Sequence, residues 1–233
     1  MYTLYKSTER SNTFGSWGTS AETFFGSDQE KYLGFGNLVQ LTHSTLNVNQ
    51  GNSGMKLHRN MEIVDIILKG SVGFQDSFGE TSTFPENTIQ VVSAGKGIYQ
   101  NEFNAGLDES EKIQIGFLPN SLNKTPGKTK ALFDLHQNSN SLVELVSPRN
   151  PSSLSVRQQA AVLMGEFEPN QHIGYAINSK TIGLFVYTIC GVVTVHNEIL
   201  RRGDSVGIIN EEQTLLHTAE QSKILVIEVS LND

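Results

Sequence analysis

Two short stretches of this 233-residue chain place polar side chains where chemistry could be done. In KLHRNMEIVDIILKG, Lys56 to Gly70, strand alternation turns Lys56, His58, Asn60 and Glu62 to one face. After the turn formers SAGKG, Gln100 and Glu102 share a face by the same rule. Two imidazoles at this spacing would clasp a divalent transition metal, but here a lysine stands beside the histidine. An ammonium has no lone pair to donate. Two unit charges ~4 Å apart at an effective dielectric near 20 interact by about 4 kcal/mol, so a dication facing Lys56 would meet roughly twice that repulsion. The amide oxygen of Gln100 is a weaker ligand than an imidazole. His58 and Glu102 remain able to exchange protons, which makes them the catalytic candidates. A buried Glu102 needs a partner, and Lys56 is expected to supply it as an ion pair. His43, in VQLTHSTL, is a further candidate for the wall of the same pocket.

The elements that must position these residues read as strands. From Phe35 onward, short β-branched and aliphatic runs such as NLVQLTHSTLNV, MEIVDIIL and TIQVVSAG alternate with turn formers. Residues 1 to 34 are rich in Ser, Thr, Gly and aromatics and read as an irregular wrap clamped by Trp17, Phe24 and Phe25. Between 121 and 146 the rhythm breaks: NKTPGKTKALFDLH suggests a short helix after Pro126 and Gly127, followed by the polar QNSNS. Strand rhythm returns in LVELVSP and continues to KILVIEVS.

The two halves lie over each other. IILKGSVGF matches YTICGVVTV, and FPENTIQVV matches RRGDSVGII, with Gln100 and His217 each 13 residues after Asn87 and Asp204. This predicts an internal duplication of a small β-barrel. In the second copy the positions of Lys56, His58 and Glu102 fall on Ile177, Ser179 and Ala219, so His217 stands without co-ligands. His136, His172 and His196 read as surface residues. Glu109 and Glu111 read as a solvated acidic loop near the pocket mouth.

Composition narrows the function classes. The formal charge is −7, shared between the halves, with no basic stripe for nucleic acid or an anionic membrane. No apolar run suits a spanning helix and the start lacks a secretory core, so the chain is expected to be cytoplasmic. The single cysteine, Cys190, cannot form an internal disulfide and is expected to be buried and inert. SAGKGI lacks Walker spacing and reads as a tight turn.

In order along the chain, FGNLVQL, HRNMEIVDIILKG, FPENTIQVVSAGKGI and IQIGFLPN resemble the pirin family of the cupin superfamily. The resemblance is good over roughly 14 to 120 and looser beyond. It implies an all-β bicupin: two jelly-roll β-barrels with a short helical connector. The expected bounds are 1–120 for the first barrel with its wrap, 121–146 for the connector and 147–233 for a degenerate second barrel. Such proteins hold iron or a similar metal through three histidines and a glutamate, and some cleave flavonols such as quercetin or act as transcriptional co-regulators. Carried over, the histidines fall on Lys56, His58 and Gln100 and the glutamate on Glu102. The expectation is therefore a pirin-like protein with a degenerate site and no cofactor, binding a small phenolic or anionic ligand or a protein partner through Lys56, His58, Gln100, Glu102 and His43. The alternative is a quercetin 2,3-dioxygenase-like enzyme using iron or another divalent metal at His58, Gln100 and Glu102.

Overall fold

Runs of β-branched residues, broken by Gly and Asn in the left-handed conformation, fold into 21 strands among the described residues of the computed structural model, which are 1–24, 33–48, 54–177 and 179–231. The first strands are β1 (Tyr2–Tyr5), β2 (Ser11–Gly15), β3 (Gly18–Glu22), β4 (Leu38–Leu46), β5 (Lys56–His58), β6 (Glu62–Lys69) and β7 (Ser71–Asp76). Next come β8 (Thr81–Pro85), β9 (Thr88–Ser93), β10 (Ile98–Asn104), β11 (Ser110–Phe117), β12 (Gly127–Leu132), β13 (Val143–Val146) and β14 (Ala160–Phe167). The remainder are β15 (His172–Ala176), β16 (Ile182–Cys190), β17 (Val192–Val195), β18 (Glu198–Arg201), β19 (Ser205–Ile208), β20 (Gln213–Thr218) and β21 (Ser222–Ser230).

The strands form four open sheets: β12-β9-β6-β11-β4-β3-β2, β5-β10-β7-β8, β1-β19-β16-β21-β14-β13 and β15-β20-β17-β18. This corrects the expected jelly-roll barrels. Every sheet ends in two edge strands, so each half is a sandwich of one large and one small sheet held by side-chain packing across the gap. The expected helical connector is also absent. GKTKAL is strand β12, pairing residue for residue with β9. The reason is a hydrogen-bond demand: β9 is almost wholly buried, and the backbone groups on its side away from β6 need partners that β12 supplies. Among the described residues the helical turns are short 3-10 segments, Ser7–Glu9 and His136–Asn138.

The two large sheets stack back to back. One face of each contributes to a single core that includes Leu41, Val64, Ile66, Ile113, Ile115 and Phe117 from the first and Val162, Met164, Phe185, Tyr187, Leu225 and Ile227 from the second. The first 24 residues are more ordered than the wrap read from sequence. β1 pairs with β19 of the second half, β2 and β3 extend the first large sheet, Phe24 is buried and Trp17 packs beside Leu46 and Phe74. Phe25, the third expected clamp, lies outside the described residues. Cys190 ends β16 half-buried, less enclosed than expected. No helix among the described residues is long and apolar enough to cross a membrane.

The repeat is visible in matched turns. Gly70 and Gly191 both take positive φ, at 72° and 86°. After each, the next backbone N–H donates to a serine hydroxyl that opens the neighbouring strand, Ser71 to Ser110 of β11 and Val192 to Ser222 of β21. A Cβ on either glycine would collide with that hydroxyl.

Phe185 is fully buried where the halves meet, with ring centroids 5.3 Å from Tyr5, 5.5 Å from Phe24 and 5.6 Å from Phe35. Phe185→Ala is expected to destabilise the protein by about 3–5 kcal/mol, measured by urea unfolding.

Candidate functional site

Alternation splits the first large sheet into an apolar face toward the second half and a mixed face toward β5-β10-β7-β8. On the mixed face β4 presents Gln40, Thr42 and Ser44, β6 presents Asp65, β9 presents Gln90, and β11 presents Lys112 and Gln114. From the facing sheet come His58, Gln100 and Glu102, with Gln100 opposite Lys56 in the β10–β5 register.

The centre of this interior is an ammonium. Lys112 Nζ lies 2.9 Å from Asp65 Oδ1 and 2.7 Å from Glu102 Oε1, with its side chain only 3% exposed. Gln114 Nε2 donates to both carboxylates, at 2.9 Å to Asp65 and 3.0 Å to Glu102, and its own oxygen accepts from Gln40 at 3.0 Å. Burial pushes the Glu102 carboxyl up, but the Lys112 charge and hydrogen bond, joined by Lys56 and His58, outweigh it and hold the group below its usual value. Burial pushes Lys112 down, and Asp65 and Glu102 together carry it above the ordinary lysine range. His58 is half-buried, and burial pushes it below its usual value against the fields of Asp65 and Glu102.

The expected pair of Lys56 with Glu102 is replaced by Lys112 with Glu102. Lys56 is exposed at the mouth of the same cleft and acts on Glu102 and Glu22 through its field. That cleft, about 240 Å³, is lined by Trp17, Glu22, Gln40, Lys56, Glu102 and Lys112 among others. The expected common face of Lys56, His58, Asn60 and Glu62 is interrupted. Asn60 takes φ 49° and accepts from Asn123 N–H, so β5 and β6 fall in different sheets. Glu62 instead accepts from Ser93 and from the Arg157 N–H. Gln100 is buried, and neither atom of its amide has a hydrogen-bond partner among the described residues.

His43 faces away from the cleft. It belongs to the apolar-side face of β4 and joins the two halves: Tyr187 Oη lies 2.7 Å from Nδ1 and Glu111 Oε1 2.7 Å from Nε2. Arg10 donates to Tyr187 at 3.0 Å and Arg202 to Glu111 at 2.6 Å. Those fixed ends orient the chain, with Tyr187 donating to His43 and His43 donating to Glu111. Burial pushes His43 below its ordinary value, and the His43 hydrogen bond leads the causes that bring Glu111 to about 2. Glu111 is thus a strand residue tied to the second half rather than part of a solvated loop.

His217 also departs from its expected role. Val195 pairs with Leu216 as Phe74 pairs with Glu102, so the pairing makes Leu216 the counterpart of Glu102 and Thr214 that of Gln100. His217 lies three positions beyond Thr214, an odd offset, and therefore points outward.

The family follows from sequence and fold together. Residues 7–116 match the family model described as Pirin, and residues 144–229 match that of the quercetinase C-terminal cupin domain. The chain belongs to the pirin family. Quercetin 2,3-dioxygenase of Escherichia coli (strain K12) is 25% identical over 232 residues, covering 98% of this chain and 99% of that protein. The pirin-like protein of Caulobacter vibrioides is 26% identical over 74% of this chain and 75% of its own length. The crystal structure of YhhW from Escherichia coli superposes with TM-score 0.89 at 25% identity, covering 98% and 97% of the two chains. Its nickel(II) complex gives the same TM-score at 24% identity, covering 99% of each chain.

The residues of this pirin-family chain do not fit the metal that the family implies. Among the described residues no group of three or more His, Cys, Asp or Glu could hold an ion. Glu102 is already neutralised by Lys112, and a dication bound to it would face that ammonium and Lys56. His58 and the unpartnered Gln100 oxygen are the donors left. Lys112, Asp65 and Gln114 escaped the reading of the sequence. A signal was present in MEIVDIIL, where an aspartate inside an apolar run demands a buried cation.

Removing that cation leaves two carboxylates stranded. Lys112→Met is expected to destabilise by about 3–5 kcal/mol at pH 7, the range for breaking a buried ion pair. Because Glu102 titrates below its unfolded value of 4.5 in the parent, its contribution is present above that pH and is lost as pH falls. The gap between parent and variant in urea unfolding should therefore narrow below about pH 4.5.

Proposed function

We propose that this pirin-family protein binds a small phenolic ligand in the cleft between its first two sheets and does not carry out oxygen chemistry on a metal. The observation that carries the reading is Lys112, whose ammonium sits on Glu102, the position the family resemblance assigns to a metal-ligating glutamate. The cleft offers an aromatic wall in Trp17, amide and hydroxyl groups from Gln40, Thr42 and Ser44, and the exposed ammonium of Lys56 for a phenolate. Lys56, His58, Gln100 and Glu102 are the proposed pocket residues. His58 and Glu102 are the groups there able to move a proton, and His43 supports the pocket from behind. The unit concerned is residues 1–120, joined through 121–146 to a second unit at 147–233, with β1 and β12 each pairing across those bounds. Quercetin is the first ligand to test because of the name carried by the relative from Escherichia coli.

Trp17 is the only tryptophan in the chain and lines the cleft, so its fluorescence reports on occupancy. Titration with quercetin is expected to quench it saturably, and Lys56→Ala to weaken binding about tenfold or more, the effect of losing a hydrogen bond to a charged group. Elemental mass spectrometry after incubation with ferrous iron, nickel, copper and zinc is expected to find no ion that depends on Glu102. Stoichiometric metal lost in Glu102→Ala, together with oxygen-dependent consumption of quercetin, would overturn the proposal. So would a titration that leaves Trp17 emission unchanged.

A further inference from the structure

The outer face of β15-β20-β17-β18 carries two imidazoles that the first-half cleft does not involve. His172 of β15 lies directly opposite His217 of β20, and their ring centroids are 4.7 Å apart with planes inclined by 37°. Thr194 of β17 flanks His217 on its other side. The alternation that buries Thr214, Leu216 and Thr218 turns Gln213, Leu215 and His217 outward, along a groove of about 560 Å³.

These rings differ from those of His43 and His196. His43 is held by Tyr187 and Glu111. His196, which lines the same groove, is 3.2 Å from Glu211 and stacked on Tyr2 at 5.3 Å. Among the described residues neither His172 nor His217 has a hydrogen-bond or ion-pair partner, so the ring lone pairs are uncommitted. Directly opposite residues on antiparallel strands have Cβ atoms about 4.5–5.5 Å apart, a spacing from which both rings can turn one nitrogen onto a common ion. Imidazole donors select Zn(II), Ni(II) or Cu(II) over hard cations such as Mg(II) and Ca(II).

We propose that His172 and His217 form a two-histidine site for a borderline divalent transition-metal ion. The open groove leaves the remaining coordination positions to water or to a donor atom of a small ligand. The site is independent of the cleft around Lys112 and lies on the opposite small sheet.

The test is isothermal titration of the tag-free full chain with Zn(II) and Ni(II), alongside thermal unfolding with and without the ion. One ion per chain is expected, with a metal-dependent rise in melting temperature. His172→Ala and His217→Ala should each weaken binding by at least the roughly 10- to 100-fold that losing an outer hydrogen-bond partner costs a metal site, and each should abolish the rise. Both positions face solvent, so the metal-free melting temperature of each variant should match the parent and establish that it is folded. His196→Ala should bind as the parent does, which assigns the ion to the facing pair rather than to the rest of the groove. Absence of binding by the parent, or binding that survives both His172→Ala and His217→Ala, would overturn the proposal.

Discussion

One buried ammonium sets the terms for the first half of the molecule. Lys112 stands between two carboxylates inside a sandwich, where an unpaired charge of either sign would cost several kcal/mol. The rest of the interior is arranged around that requirement. Gln114 and Gln40 extend the hydrogen bonding toward the cleft. The apolar packing divides into two small clusters, one around Val72, Phe74 and Phe84 and one around Ile63, Val92 and Ile98. Among the described residues the second half buries no lysine, and its corresponding interior is one continuous apolar cluster running from Ala161 to Val226, with the buried Glu228 held by Tyr175 and Arg149. The duplicated fold thus holds a sandwich centred on charge and one centred on apolar packing.

The polar sandwich is supported from behind by the shared core. Its large sheet packs over the second half, and the path Arg10, Tyr187, His43, Glu111 and Arg202 ties the sheets through hydrogen bonds that run from the buried Tyr187 to the exposed Arg202. β4 serves both: Gln40, Thr42 and Ser44 line the cleft while His43 on its other face joins the halves. The junction and the cleft thus share one strand.

The relation to known pirin-family proteins is one of fold and order of segments, and function resides in the site those segments carry. Where the family resemblance assigns three imidazoles and a carboxylate, this chain carries Lys56, His58, Gln100 and Glu102, and Lys112 sits on the carboxylate. Opposite charge has been brought into the first sandwich by lysine, fixed by the chain itself.

The sequence by itself determined the strand class, the repeat, the family and the pairing of Gln100 with Glu102 on one face, because each follows from local pattern: alternation, turn residues and segment order. It did not reach the partner of Glu102, since a lysine within a strand resembles a solvent-facing residue until the neighbouring strand is known. The same limit applies to His43 and His217. Alternation states which residues of a strand share a face but not whether that face meets the cleft, the other half or solvent, and an odd shift in register exchanges the two faces. Only the tertiary structure decided those questions, together with whether the sheets close and whether GKTKAL is helix or strand. Each is fixed by which backbone edges and buried charges must find partners across distances in sequence that no local pattern spans.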